Sequence, residues 1–100
     1  VHNLENSLIT ELSYRAFFNC KSLKEITLPK TLRYIYYGCC EGCSSLSNVH
    51  ILSTTPPSLR NANYGGMPFT VMDNLYVPKG CKEAYKEVYP WSEFKEIIEE

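Results

Sequence analysis

Apolar residues recur along this chain at fixed phases. Cys20, Leu23, Ile26 and Leu28 return 23 positions later as Cys43, Leu46, Val49 and Ile51. The same offset carries Ile9, Leu12 and Tyr14 onto Leu32, Ile35 and Tyr37. Within each copy, Ile26-Thr27-Leu28 and Val49-His50-Ile51 alternate apolar with polar positions. A period of two is that of a half-buried strand. Pro29 closes the first strand, because proline has no N–H to give a ladder. Ile9 and Leu12 stand three apart, and Ala16 and Phe17 follow at the spacing of one helical turn. The pattern therefore predicts a short helical turn over Tyr14–Asn19, with Phe17 directed into the core.

A repeat of this length, with apolar residues at constant phase, marks a leucine-rich-repeat solenoid. The expected fold class is α/β: a right-handed solenoid with one short strand and one helical turn per repeat. Residues 1–80 form about three repeats, and residues 81–100 form a C-terminal helical cap. The first full repeat runs from Leu8 to Pro29, after Val1–Leu4, which reads as the tail of a preceding strand. The second runs from Thr31 to Leu52 and places Cys39 and Cys40 where the first has Ala16 and Phe17. Cys40 is the smaller residue, so Tyr34, Tyr36 and Tyr37 are candidates to fill the space.

The third repeat is looser. Pro56 and Pro57 force an extended connection at its start. Leu59 takes the phase of Leu12, and either Tyr64 or Phe69 takes that of Phe17. Leu75-Tyr76-Val77-Pro78 restores the strand. Cys81, Ala84, Tyr85 and Val88 then fall on one stripe of a short helix. Tyr89-Pro90 breaks it, Trp91, Phe94 and Ile97-Ile98 complete the apolar content, and Glu96–Glu100 reads as a solvated acidic end. Terminal repeats need such a cover for their last core layer. The N-terminal end shows none, which suggests an array continuing upstream of Val1.

Composition narrows the function classes. With Lys and Arg at 10 and a net charge of −1 in 100 residues, no basic run offers a sequence-independent grip on nucleic acid. No apolar stretch approaches the length of a membrane span, so direct membrane insertion is not expected. Five cysteines do not pair evenly. Cysteine is also among the most buried residue types, and core packing explains these without a framework of bridges. A stacked Cys20–Cys43 disulfide is conceivable, because neighbouring strands lie about 4.8 Å apart, but free thiols are the simpler reading.

At this point the residues resemble a known family. Ala16-Phe17-Phe18-Asn19-Cys20-Lys21-Ser22-Leu23-Lys24-Glu25-Ile26-Thr27-Leu28-Pro29 looks like the repeat of BspA-like leucine-rich-repeat proteins of bacteria. Thr54-Thr55-Pro56-Pro57-Ser58-Leu59 resembles the last-repeat variant of that family. Leu75-Tyr76-Val77-Pro78-Lys79-Gly80, with Ala84-Tyr85 and Trp91, resembles its C-terminal end. The resemblance covers nearly the whole chain, and Cys39-Cys40 and the stretched third repeat depart from it. It implies a secreted or surface-exposed bacterial protein, a role in adhesion, a host or microbial surface protein or glycan as partner, and no enzymatic activity or cofactor.

The candidate binding residues come from strand alternation. If Ile26 and Leu28 point inward, Glu25 and Thr27 point outward, as do Asn48 and His50, then Asn74 and Tyr76. Stacked repeats align these as two rows, Glu25–Asn48–Asn74 and Thr27–His50–Tyr76. Such rows line the binding surfaces of solenoids. A plain solvated sheet face is the alternative. Tyr14 and Tyr37 share a phase and are expected to pack between turns.

Cys40-Glu41-Gly42-Cys43 is a C-x-x-C, and Cys39 adds a third thiol, but tetrahedral zinc needs a fourth ligand and His50 faces away. The other histidine, His2, sits at the start of the chain, and a Cys–His nucleophile pair would need a thiol beside His50, whose nearest cysteines by sequence face the core, so such a pair is not expected. There is no H-E-x-x-H and no glycine-rich phosphate loop. The sequence thus points to a binding or adhesion module, with a structural spacer or end cap as the second reading.

Overall fold

A computed structural model describes Leu4, residues 6–60 and residues 67–100. The chain winds into a β-solenoid of about four coils, built on two parallel sheets. Strands β1 (Glu11–Leu12), β3 (Tyr34–Tyr36) and β5 (Ser58–Arg60) form one sheet. Strands β2 (Glu25–Leu28), β4 (Asn48–Ile51), β6 (Asn74–Val77) and β7 (Glu96–Glu99) form the other, in the order β2-β4-β6-β7. The repeat offset becomes the register: Glu25 pairs with Asn48 and Thr27 with His50, then Asn48 with Asn74 and His50 with Tyr76.

The core lies between the sheets. Ile26, Leu28, Val49, Ile51, Leu75 and Val77 face Leu12 and Ile35, all almost wholly removed from water. Each such side chain contributes about 1.5–3 kcal/mol by burial. The wide end of the core is aromatic. Phe69, Tyr85, Trp91 and Phe94 pack tilted, edge-on or stacked in neighbouring pairs, with ring centroids 5.6–6.3 Å apart.

The expected helical turn at Tyr14–Asn19 is a series of turns instead, with Arg15 and Asn19 at φ of 58° and 57°. The hydrogen bonds explain the difference. Alternate amides turn away from the segment and bind the next coil: Arg15 to the Gly38 carbonyl, Phe17 to Cys39 and Asn19 to Glu41. Gly38 and Cys40 repeat this toward Met67 and Pro68. A helix needs those N–H groups internally, whereas here they add a third laddered side to each coil. The repeat also holds a second strand that the expected one strand per repeat did not include: Leu12 and Ile35 pair directly in β1 and β3.

Phe69 is the core aromatic of the third repeat, paired with Cys40 in an isolated bridge and 2% exposed. Tyr64, like His2 and the first three residues of the strand tail expected at Val1–Leu4, lies outside the described residues, and Leu4 itself is in no strand. Tyr34 and Tyr36 do not fill the space beside Cys40. They flank the buried Ile35 on the outer face of their sheet, where Tyr34 lies under Arg60 at 3.9 Å and the Tyr36 hydroxyl donates to Glu11.

The C-terminal cover is only partly helical. Helix α1 (Lys82–Lys86) and a 3₁₀ turn (Trp91–Glu93) are short, and β7 follows. The segment expected as a solvated tail therefore pairs in parallel with β6, Leu75 opposite Ile97, while its glutamates stay exposed. An unpaired β6 edge would leave a row of unsatisfied backbone groups. On the stripe predicted for the helix, Cys81 and Tyr85 are buried, Val88 is half-buried and Ala84 is exposed.

Candidate functional site

The outer face of the four-stranded sheet carries the residues singled out by alternation. Glu25 is exposed, and Thr27, Asn48, His50, Asn74 and Tyr76 are half-buried. Strand pairing brings the two rows together as expected and lengthens each by one member: Glu96 joins Glu25–Asn48–Asn74, and Ile98 joins Thr27–His50–Tyr76.

Within the rows the side chains bind one another. The Asn74 amide donates to the Asn48 side-chain oxygen at 3.0 Å. The His50 ring stacks on Tyr76, with centroids 4.4 Å apart and planes 10° from parallel. Its Nε2 lies 2.9 Å from Glu25 and its Nδ1 lies 2.8 Å from Glu100. Thr27 stands beside His50 at the β2 edge, where its carbonyl accepts the Leu4 amide at 2.9 Å.

Both imidazole nitrogens face carboxylates, and only the protonated ring donates from both. Burial pulls the His50 pKa down, but the hydrogen bonds and charges of Glu100 and Glu25 outweigh it, and the net displacement is above the ordinary 6.5. Glu100 is the residue that sequence reasoning missed. It belongs to the segment taken as solvated, and nothing local marks Glu96–Glu99 as a strand, because its two isoleucines are adjacent rather than alternating.

The thiols behave as packing groups. Cys39, Cys40, Cys43 and Cys81 are buried, Cys20 is half-buried, and all five are free. The Cys43 thiol donates to the Phe17 carbonyl at 2.9 Å, and burial pushes its pKa up to about 11. Its neighbour Cys40 is also pushed upward, first by a hydrogen bond with Cys39 and then by burial. Thiols held protonated in this way are poor nucleophiles and poor metal ligands. Among the described residues no group of three or more His, Cys, Asp or Glu side chains is arranged to hold a metal ion. Among them, too, no helix is long and apolar enough to cross a membrane. Tyr14 and Tyr37 do meet, at 4.7 Å between centroids, but on the surface, where Tyr14 is 44% exposed.

No curated protein and no solved structure shows significant similarity to the chain. A family model does match: the one described as "BspA type Leucine rich repeat region (6 copies)", over residues 2–95. That match covers strands β1 to β6 and the C-terminal cover as far as the residue before β7. The chain belongs to the BspA-type leucine-rich-repeat family.

Proposed function

We propose that this domain is a non-enzymatic recognition module, working outside a bacterial cell, that presents the outer face of its four-stranded sheet to a host or microbial surface protein or glycan. The observation that carries the reading is the continuous double row built by Glu25, Thr27, Asn48, His50, Asn74 and Tyr76. A row of partly exposed polar and aromatic groups on a rigid sheet offers hydrogen bonds and a stacking surface at little entropic cost. Families of this type are typically surface-associated, which supports the extracellular setting.

A second reading has its own support. The polar atoms of His50, and the Asn48–Asn74 contact, are already satisfied within the face. A surface that completes its own hydrogen bonds suits a spacer or end cap of a longer array. One experiment separates the two. The domain is screened against extracellular-matrix proteins and a glycan array, alongside His50→Ala and Tyr76→Ala with folding checked by circular dichroism. Binding that is lost in the folded variants supports recognition by this face. Absence of binding supports the spacer.

A further inference from the structure

A second surface, on the corner between the two sheets, has the makings of a ligand site. Residues 29–33 connect β2 to β3, and residues 52–57 connect β4 to β5, one residue more. The ladder between these stacked corners stops at the Leu52 amide on Leu28 and resumes at the Ser58 amide on Arg33. Pro56 and Pro57 have no N–H to continue it. The corners part there and leave a cleft of about 360 Å³. That is at the small end of ligand-site volumes, room for about one sugar ring.

The lining is cationic and rich in hydroxyls. Lys30 and Arg33 come from the lower corner, Thr54, Thr55 and Ser58 from the upper, and no carboxylate among the described residues lines the cleft. Among the described residues neither Lys30 nor Arg33 has an ion-pair partner. Arg60, over the ring of Tyr34, adds positive charge at the rim. The whole chain carries a net charge of −1, so this local excess of cations is not a reflection of composition.

The upper wall is held from behind. The buried Tyr85 hydroxyl donates to the Ser53 carbonyl at 2.6 Å, and the buried Trp91 indole N–H donates to the Pro57 carbonyl at 2.9 Å. The Ser53 hydroxyl also closes a local turn with Thr55. These bonds fix both ends of the Thr54–Pro56 segment from the core side and leave Thr54 and Thr55 exposed toward the cleft. A wall fixed before the ligand arrives loses little freedom on binding.

We propose that this cleft binds an acidic saccharide, a carboxylated or sulfated sugar, with Arg33 and Lys30 on the anionic group and the threonine and serine hydroxyls on the ring. A guanidinium presents paired donors that match a carboxylate or sulfate, and an ammonium adds a point charge. The hydroxyl-rich lining favours a sugar over an acidic peptide, because a sugar ring offers several hydroxyls to pair with those of Thr54, Thr55 and Ser58, whereas an acidic side chain offers only its carboxylate. The site lies apart from the sheet face, so its failure leaves the preceding reading standing, and the two surfaces report on different amides.

The test is an amide-resolved NMR titration of the intact chain with glucuronate and galactose-6-sulfate, against glucose, inorganic sulfate and a glutamate dipeptide. Saturable shifts over residues 30–34 and 53–58 with the acidic sugars, weakened by salt and absent with glucose, support the site. Lys30→Ala with Arg33→Ala is expected to lower affinity about tenfold or more while leaving Tm unchanged. Lys30→Gln with Arg33→Gln, which keeps the side-chain stems, must show the same loss. No saturable shift at these residues overturns the proposal. So does undiminished binding by the variants, or an equal response to sulfate or to the dipeptide.

Discussion

Glu100 and His50 stand 50 positions apart in sequence and 2.8 Å apart in space, oxygen to Nδ1. On its other side the same ring meets Glu25 at 2.9 Å. One side chain at the centre of the sheet thereby ties its first strand to the residue that follows its last. The stack on Tyr76 holds the ring in the plane that both contacts need.

Stability is expected to depend on pH through this group. The folded pKa of His50 is raised, with burial opposing and the two glutamates outweighing it. Its contribution is then fully present below the unfolded value of about 6.5 and is lost as pH rises through the folded pKa. Urea midpoints measured across that window should fall with rising pH for the parent chain. In His50→Gln this part of the dependence should disappear.

The two carboxylates should be separable. Glu100→Gln and Glu25→Gln each remove one charge-assisted acceptor, so each should lower the imidazole pKa, with Glu100→Gln the larger of the two. Imidazole proton shifts followed against pH measure this directly. An unchanged titration in both variants would show that the contacts do not persist in solution.

The hydroxyl of Tyr85 donates to the Ser53 carbonyl from a wholly buried position. Tyr85→Phe leaves that carbonyl unsatisfied and is expected to cost about 1–3 kcal/mol. Trp91→Ala also opens the aromatic end of the core and should cost about 3–5 kcal/mol. Denaturant unfolding at constant m-value provides the comparison.

Gly42 and Gly80 make a matched pair. Both have positive φ, 83° and 85°. A Cβ on Gly42 would collide with the Asn19 side chain, whereas one on Gly80 meets nothing within 4 Å. Gly80→Ala should cost only the backbone penalty, about 1–2 kcal/mol. Gly42→Ala should cost more, and equal losses would mean that Asn19 moves aside freely.

Alkylation in the native state should be slow and selective. Cys39, Cys40 and Cys43 are buried, and the pKa values of Cys40 and Cys43 are raised. Iodoacetamide labelling read by mass spectrometry is expected to modify half-buried Cys20 first, and Cys39, Cys40 and Cys43 only on unfolding. Rapid labelling of Cys40 would contradict the packing described for it.

The repeat was legible because it is a local pattern. The 23-residue offset alone aligned Glu25 with Asn48 and Thr27 with His50, and the parallel register of β2 and β4 is that offset carried into space. The alternation in Ile26-Thr27-Leu28 separated core from face, because successive strand side chains point to opposite sides. The family resemblance rested on the residues themselves, chiefly Ala16–Pro29 and Leu75–Gly80, and the family model matches over residues 2–95. Three other features depended on partners far along the chain. The turns at Tyr14–Asn19 have helix-like apolar spacing, and only the carbonyls of Gly38, Cys39 and Glu41 draw their amides into a ladder. Glu96–Glu99 becomes a strand because β6 has an open edge to fill, a need that no residue within the segment announces. The cleft beside Lys30 and Arg33 exists because one stacked corner is a residue longer than the other and carries two prolines. Short-range periodicity determined which residues are buried and which strands neighbour one another. The tertiary structure decided where each backbone donor finds its acceptor, because the repeat offset says which positions neighbour one another between coils but not which amides turn outward to them and which stay within a helical turn.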